Sequence, residues 1–175
     1  MKHLPKFIFA WVTCLALRLI PFRPANAEPL LGTLMPFTKK YGMVSNLAFI
    51  VSSMVVYDVL TSGIGPWTYV TAFAYALVSV ASSLYFKKVE ATRIHYAGFA
   101  VIATLFYDAL TGLTLGPIVH NQPFMVALMG QIPFTMSHLA GNFLIAAFLS
   151  PLIQKWVVEN PALEFSLPSR RTVQA

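Results

Sequence analysis

The sequence predicts an all-α integral membrane bundle of six transmembrane helices, of which the second is short. Its 175 residues are 57% hydrophobic and only 10% charged, whereas about 25% of an ordinary soluble domain is charged. Six apolar segments fill most of the chain, at residues 7–22, 30–37, 43–60, 67–86, 97–118 and 132–158. Short groups of basic residues separate these segments, as in the loops of membrane proteins. We therefore expect a single membrane domain at 1–159 and a tail at 160–175.

Five of the six segments are long enough to cross a bilayer, which takes roughly 17 to 25 apolar residues. The second crosses only if it starts near Glu28 and runs through Lys39, whose aliphatic stem can lie along the apolar region. We expect the third helix to end near Ser62, the fifth to end near Gly112 and the sixth to start at Ile132. The ends of the third and fifth helices and the start of the sixth are expected to lie at the same face of the membrane.

The positions of the basic residues predict how the bundle is oriented. Cytoplasmic loops of membrane proteins carry an excess of Lys and Arg. With six crossings and a cytoplasmic N-terminus, ten of the twelve basic residues lie on the cytoplasmic side: Lys2, Lys6, Lys39, Lys40, Lys87, Lys88, Arg93, Lys155, Arg170 and Arg171. Only Arg18 and Arg23 then lie outside. Both termini, and with them the tail, are therefore predicted to be cytoplasmic.

A repeated motif marks the outer face of this predicted bundle. Tyr-Asp-x-Leu-Thr occurs at 57–61 and again at 107–111, and each copy is followed within a few residues by Gly-Pro. Asp58 and Asp108 are the only acidic residues that lie inside the apolar segments. An ionisable residue within or near a bilayer indicates a functional site by default. The two aspartates are therefore the first candidates for a binding site.

His138 and Asn142 are expected to join the two aspartates. They lie four residues apart on the sixth segment and so share one face of a helix. If that helix starts at Ile132, His138 lies about 9 Å below its start. Each aspartate could instead pair structurally with a neighbouring hydroxyl, and His138 and Asn142 could serve only as partners between helices. Ligand contact and structural pairing are thus both open.

Aromatic and loop residues could complete a pocket that opens outward. Trp67 and Tyr75 on the fourth segment could stack on a ring-shaped ligand. The proline-rich loop at 21–29 carries Arg23, Asn26 and Glu28, which could close the mouth of such a pocket. Simple packing by the aromatic residues, and a plain connecting loop, are the alternatives.

Several other classes of function find little support in the sequence. Cys14 is the single cysteine, which excludes a disulfide within the chain. No nucleotide-binding loop or paired-cysteine metal site is present, and no cofactor is predicted. The net charge of +6 follows from membrane topology, so we expect no nucleic-acid partner. An Ala-Asn-Ala sequence at 25–27 imitates a signal-peptide cleavage site, but Arg18 and Arg23 argue against cleavage.

Three further features occur in a fixed order along the chain. A Pro- and Asn-containing outer loop follows the first segment, Gly-Ile-Gly-Pro-Trp at 63–67 opens the fourth, and Ile-Pro-Phe at 132–134 leads to His138 and Asn142 on the sixth. Together with six short helices, this order resembles the substrate-binding S components of energy-coupling factor (ECF) vitamin transporters. The resemblance covers nearly the whole chain.

The resemblance implies a transport subunit in the cell's inner (plasma) membrane and not an enzyme. S components capture a vitamin or a related micronutrient at the extracellular side, then associate with a transmembrane coupling protein and two ATPases. The family presents Ala-x-x-x-Ala on its first helix to the coupling protein. The nearest match here is Ala10 with Cys14. Members that carry nickel or cobalt begin with Met-His, whereas this chain begins Met1-Lys2-His3, so no metal is expected.

Two alternatives to substrate capture remain open from the sequence. Asp58, Asp108 and His138 could perform acid–base or metal-assisted chemistry in an intramembrane enzyme. The same polar residues could merely hold the helices of a structural membrane subunit together. Stoichiometric binding without turnover distinguishes capture from catalysis.

Overall fold

The structure is a computed structural model that describes residues 4–22 and 28–164. Within these ranges the chain is helical and forms no strand, so the all-α prediction is confirmed. The long helices are α1 (Leu4–Leu19), α2 (Pro29–Leu60), α3 (Pro66–Lys88), α4 (Arg93–Thr114) and α5 (Phe124–Leu144).

The last helix continues beyond α5 through wider turns. A π-helical turn at Ile145–Leu149, the short α6 (Ser150–Ile153) and a second π-helical turn at Gln154–Val158 follow α5. A further π-helical turn at Leu115–Val119 extends α4, and a 3₁₀ turn at Pro161–Leu163 ends the described chain. Pro117 lies within the turn at Leu115–Val119, and Pro151 lies between the turns at Ile145–Leu149 and Gln154–Val158. Proline cannot complete a regular α-helical turn, which accounts for the local widening.

Four helical stretches of the described chain are long and apolar enough to cross a membrane. They are Lys40–Leu60, Pro66–Lys88, Arg93–Val119 and Phe124–Val158. Large apolar side chains also cover the outside of the bundle, among them Phe73, Ile102 and Met136, which are each more than half exposed. Large exposed apolar areas are rare on soluble monomers and mark contact with a partner or a membrane. Both observations are typical of a protein that contacts lipid.

α2 contains a sharp break at Gly42. The backbone there has φ 78° and ψ 171°, a conformation available to glycine and strained for other residues. The break divides α2 into a first half at 29–41 and a second half at 43–60. The predicted second and third segments fall in these two halves, and the second half ends at Leu60, close to the predicted Ser62.

The predicted start of the last helix was wrong. α5 begins at Phe124, directly after Pro123, and not at Ile132. The predicted start was the first residue of the apolar segment 132–158, whereas Pro133 lies inside the helix. His138 is therefore fourteen residues from the helix start, or about 21 Å at 1.5 Å per residue, rather than about 9 Å.

Contacts between helix ends define two ends of the bundle. At one, which we call the lysine end, Lys6 of α1 and Lys40 of α2 both donate to the carbonyl oxygen of Val158 and to Glu164, at 2.8–3.1 Å. At the other, which we call the motif end, the first Tyr-Asp-x-Leu-Thr copy meets the start of α3, because Asp58 accepts a hydrogen bond from Thr68.

Polar contacts hold α2 against the last part of α3. Thr38 bonds to Ser82 at 3.2 Å and Asn46 donates to Ser83 at 3.3 Å, and all four side chains are buried. Helices in a bilayer gain little from apolar burial alone, so small and polar residues commonly join them. The interior of this bundle is therefore polar as well as apolar.

Candidate functional site

The first motif copy closes the turn between α2 and α3. The carbonyl oxygen of Asp58 accepts hydrogen bonds from the backbone N–H groups of residues 61–63 at 2.7–3.2 Å. Its carboxylate Oδ2 accepts from the Thr68 hydroxyl at 2.5 Å, and that hydroxyl accepts from the N–H of Gly65 at 3.2 Å. Asp58 is thus engaged in a local structural contact, one of the two alternatives that the sequence left open.

The second motif copy makes a different contact. Asp108 of α4 binds His138 of α5 at 2.7 Å between Oδ1 and Nδ1, and both side chains are buried. One helical turn away, Asn142 of α5 donates from Nδ2 to the hydroxyl of Thr104 at 2.9 Å. These two contacts form successive rungs between α4 and α5. The structure therefore brings together three of the predicted site residues, Asp108, His138 and Asn142.

Each rung leaves one buried oxygen without a partner. Oδ2 of Asp108 and Oδ1 of Asn142 are both inaccessible, and neither accepts a hydrogen bond from the described residues. Buried polar atoms in proteins nearly always have a partner, and a lone buried carboxylate oxygen is costly. The two rungs thus offer two unused acceptors on neighbouring turns of the α4–α5 contact.

Two tyrosines connect these rungs to α3. The rings of Tyr75 and Tyr107 lie 4.2 Å apart between centroids, and the Tyr107 ring lies 6.0 Å from that of His138. Tyr75 was predicted to stack on a ligand but is only 3% exposed and packs against Tyr107, with the two ring planes tilted by 38°. Tyr107 was not singled out, although it belongs to the repeated motif.

Arg18 of α1 holds Glu28 in place. Its Nε lies 3.0 Å from Glu28 Oε1, and its Nη1 donates to the carbonyl oxygen of Ser53 at 2.9 Å. The guanidinium also lies over the Tyr57 ring, 4.1 Å from the centroid. Glu28 was predicted at the mouth of a pocket, whereas Arg18 was counted only as an outer charge. The predicted Arg23 and Asn26 lie outside the described residues.

We call the groups described so far, other than those of the first motif copy, the buried polar cluster. Its members are Arg18, Glu28, Tyr75, Thr104, Tyr107, Asp108, His138 and Asn142. Arg18, Glu28 and Asp108 each lie within electrostatic range of both tyrosine hydroxyls. Its members lie on α1, α3, α4 and α5, and Glu28 directly precedes α2. Such an arrangement can orient a small polar molecule through several donors and acceptors.

An open cavity of about 410 Å³ adjoins the cluster at the motif end. Tyr107 belongs to both, and the polar part of the remaining wall comes from Thr71, Thr111, Gln122 and Gln131. Three glycines, which have no side chain to fill the space, also line the cavity: Gly112 in α4, Gly116 in the turn that follows it, and Gly130 in α5. Sequence reasoning missed these residues, although the Gly-x-x-x-Gly spacing at 112–116 was a usable signal.

None of the predicted site residues that the structure describes lines this cavity, and Trp67, Ala10 and Cys14 also lie outside the buried polar cluster. Trp67 is partly exposed and packs against Gly65, where even a Cβ would collide with its ring. Ala10 and Cys14, predicted to contact a coupling protein, are 5% and 1% exposed and belong to the core between α1 and α2. A partner that approaches α1 meets its outward residues, such as Phe9 and Val12, before it meets this pair.

Fold and site together define a helical membrane protein with polar groups enclosed in its bundle and a cavity beside them. Comparison with known proteins adds no identity: no family model matches the chain, and neither does any curated protein or solved structure.

Proposed function

We propose that this protein is the substrate-binding membrane subunit of an ATP-driven importer, of the kind represented by ECF S components, and that it captures a vitamin-like micronutrient. The observation that carries the proposal is the open cavity of about 410 Å³ joined through Tyr107 to the buried polar cluster. Sites for small molecules are typically clefts of about 300–1,000 Å³ with a few fixed polar groups. The cavity admits the ligand, and the cluster orients it.

The proposal includes six membrane crossings with both termini in the cytoplasm of a plasma-membrane protein. The lysine end, where Lys6 and Lys40 meet, then faces the cytoplasm, in keeping with the positive-inside rule. The motif end and its cavity face outward. α1 and the first half of α2 complete the six crossings as short helices that depend on their neighbours.

Energy for import must come from other subunits in this scheme. The sequence contains no phosphate-binding loop, so the proposal assigns ATP hydrolysis to two partner ATPases. A transmembrane coupling protein would connect those ATPases to this subunit. The exposed apolar residues of α1, including Ile8, Phe9 and Val12, provide a surface for that coupling protein.

A second function is favoured by one observation. Asp108 and His138 lie 2.7 Å apart, the separation at which a carboxylate orients an imidazole for acid–base catalysis. An intramembrane enzyme would use this pair on a molecule in the cavity, and it would release a changed product. A transport subunit binds its ligand and releases it unchanged, whereas an enzyme converts it to product, so analysis of the released molecule distinguishes the two functions.

A thermal-shift screen of the purified protein against vitamins and their precursors tests the proposal. A ligand present at a hundred times its dissociation constant stabilises by about 2.7 kcal/mol. The cavity is then tested with Gly130→Leu, because Gly130 lines it and has free space around its Cβ position. Gly98→Leu is the matched control, since Gly98 lies in α4, is exposed and also has free space.

Both substitutions replace a helical glycine by leucine, so they share the same gain in helix propensity. We expect Gly130→Leu to weaken binding of the hit at least tenfold and Gly98→Leu to leave it unchanged. Equal binding by both variants would place the ligand elsewhere, and a screen without any hit would argue against capture of this class of compound.

A further inference from the structure

The α4–α5 rungs hold two buried acceptors that the local contacts do not use. His138 donates its Nδ1 proton to Oδ1 of Asp108, which leaves Oδ2 unserved, and Asn142 donates to Thr104, which leaves its Oδ1 unserved. Asp108 is 1% exposed and Asn142 is 3% exposed. Oxygen acceptors are completed only by hydrogen-bond donors or by cations.

The two rungs lie on neighbouring turns of both helices. Thr104 and Asp108, like His138 and Asn142, are separated by one helical turn, or about 6 Å along the axis. The unserved oxygens of Asp108 and Asn142 therefore lie on neighbouring rungs of the same helix contact. Because neither oxygen is accessible, only a compact group reaches them.

The charge of the surroundings favours a cation over a neutral donor. Arg18 is already committed to Glu28 and to the carbonyl oxygen of Ser53. Within the described chain His138 is the side chain that pairs with Asp108, and it contacts Oδ1, so no Lys, Arg or His reaches Oδ2. A carboxylate enclosed in a membrane protein is stabilised most by a positive charge at contact distance.

We infer that Asp108 and Asn142 form a binding site for a compact monovalent cation, held by Asp108 Oδ2 and Asn142 Oδ1 between α4 and α5. Its source is either free Na⁺ or the ammonium group of the captured molecule. The second source rests on the proposed function, and the first does not.

Thermal unfolding of the whole protein, purified in choline chloride, tests the inference. Choline is too bulky for the site, and NaCl or methylammonium chloride replaces it at constant total chloride. A bound cation at ten times its dissociation constant should raise Tm by about 3–6 °C in a saturable manner. A response to Na⁺ alone assigns the free ion, whereas a response to methylammonium assigns an ammonium head group.

Asp108→Asn removes the charge with little change of shape and should abolish the response. The matched control is Asp58→Asn at the other copy of the motif, because Asp58 already has Thr68 as its partner. We expect this control to respond like the wild type. The inference is overturned if none of the cations raises Tm above the choline value, or if Asp108→Asn responds as the wild type does.

Asn142→Asp keeps the inference testable if Asp108→Asn does not fold. It places a second carboxylate at the unserved amide oxygen and should lower the half-saturating cation concentration about tenfold or more. An unchanged or raised concentration contradicts the site. Neither result alters the vitamin screen with Gly130→Leu, so failure of the cation site and failure of substrate capture are recognised separately.

Discussion

Replacing Thr68 by valine should destabilise the bundle through the turn between α2 and α3. The Thr68 hydroxyl donates to the Asp58 carboxylate at 2.5 Å and accepts from the N–H of Gly65 at 3.2 Å. Loss of a hydrogen bond to a charged group costs about 1.5–3 kcal/mol, and loss of a helix N-terminal cap costs about 0.5–2 kcal/mol. Valine preserves the shape, so we expect a total loss of about 2–5 kcal/mol.

The free energy of unfolding in mixed detergent micelles, measured by titration with a denaturing detergent, provides the assay. Thr61→Val is the matched control, because Thr61 is exposed and its hydroxyl bonds only within its own helix, to the carbonyl oxygen of Tyr57 at 2.8 Å. We expect this control to stay within about 0.5 kcal/mol of the wild type. Equal stability of the Thr68→Val and Thr61→Val proteins would refute the structural role of Asp58.

Two further predictions concern the lysine end and the break in α2. Hydrogen bonds from Lys6 and Lys40 lower the pKa of Glu164 from 4.5 to about 2; its stabilising effect is therefore complete above pH 4.5 and is lost as pH falls toward 2. The difference in Tm between wild type and Glu164→Gln should be constant from pH 7 to 4.5 and vanish near pH 2, whereas a difference that already vanishes by pH 4 would contradict the contact. Gly42→Ala should lower the free energy of unfolding by about 1–3 kcal/mol, because alanine is strained at φ 78°. Its control, Gly98→Ala in α4, should raise the free energy of unfolding by about 0.5–1 kcal/mol. Equal effects of the two substitutions would contradict the break in α2 at Gly42.

The sequence predicted the helices better than their ends. Long apolar segments permit only helices in a bilayer, because every backbone N–H and C=O must be paired within the segment. The start of α5 was misplaced because the helix begins eight residues before the apolar segment at 132–158 and includes Pro133, which neighbouring helices can accommodate inside a membrane helix. For the region near Gly42 the sequence predicted only that two apolar segments are separated there, and not that the backbone breaks sharply at this glycine.

The candidate site was predictable only in part, for a geometric reason. His138 and Asn142 share a face because of their spacing, and the repeat drew attention to Asp108. Their partners across helices, such as Thr104, depend on how each helix is rotated about its axis, which one sequence does not contain. The two motif copies illustrate this, since Asp58 finds a partner ten residues away and Asp108 finds one thirty residues away.

Equilibrium binding of a screened ligand, followed by chemical analysis of the recovered ligand, tests substrate capture most directly. We predict saturation at one ligand per chain, recovery of the ligand unchanged after prolonged incubation, and at least tenfold weaker binding by Asp108→Ala. Formation of product in excess over protein, abolished by Asp108→Asn, would contradict capture and establish an intramembrane enzyme instead.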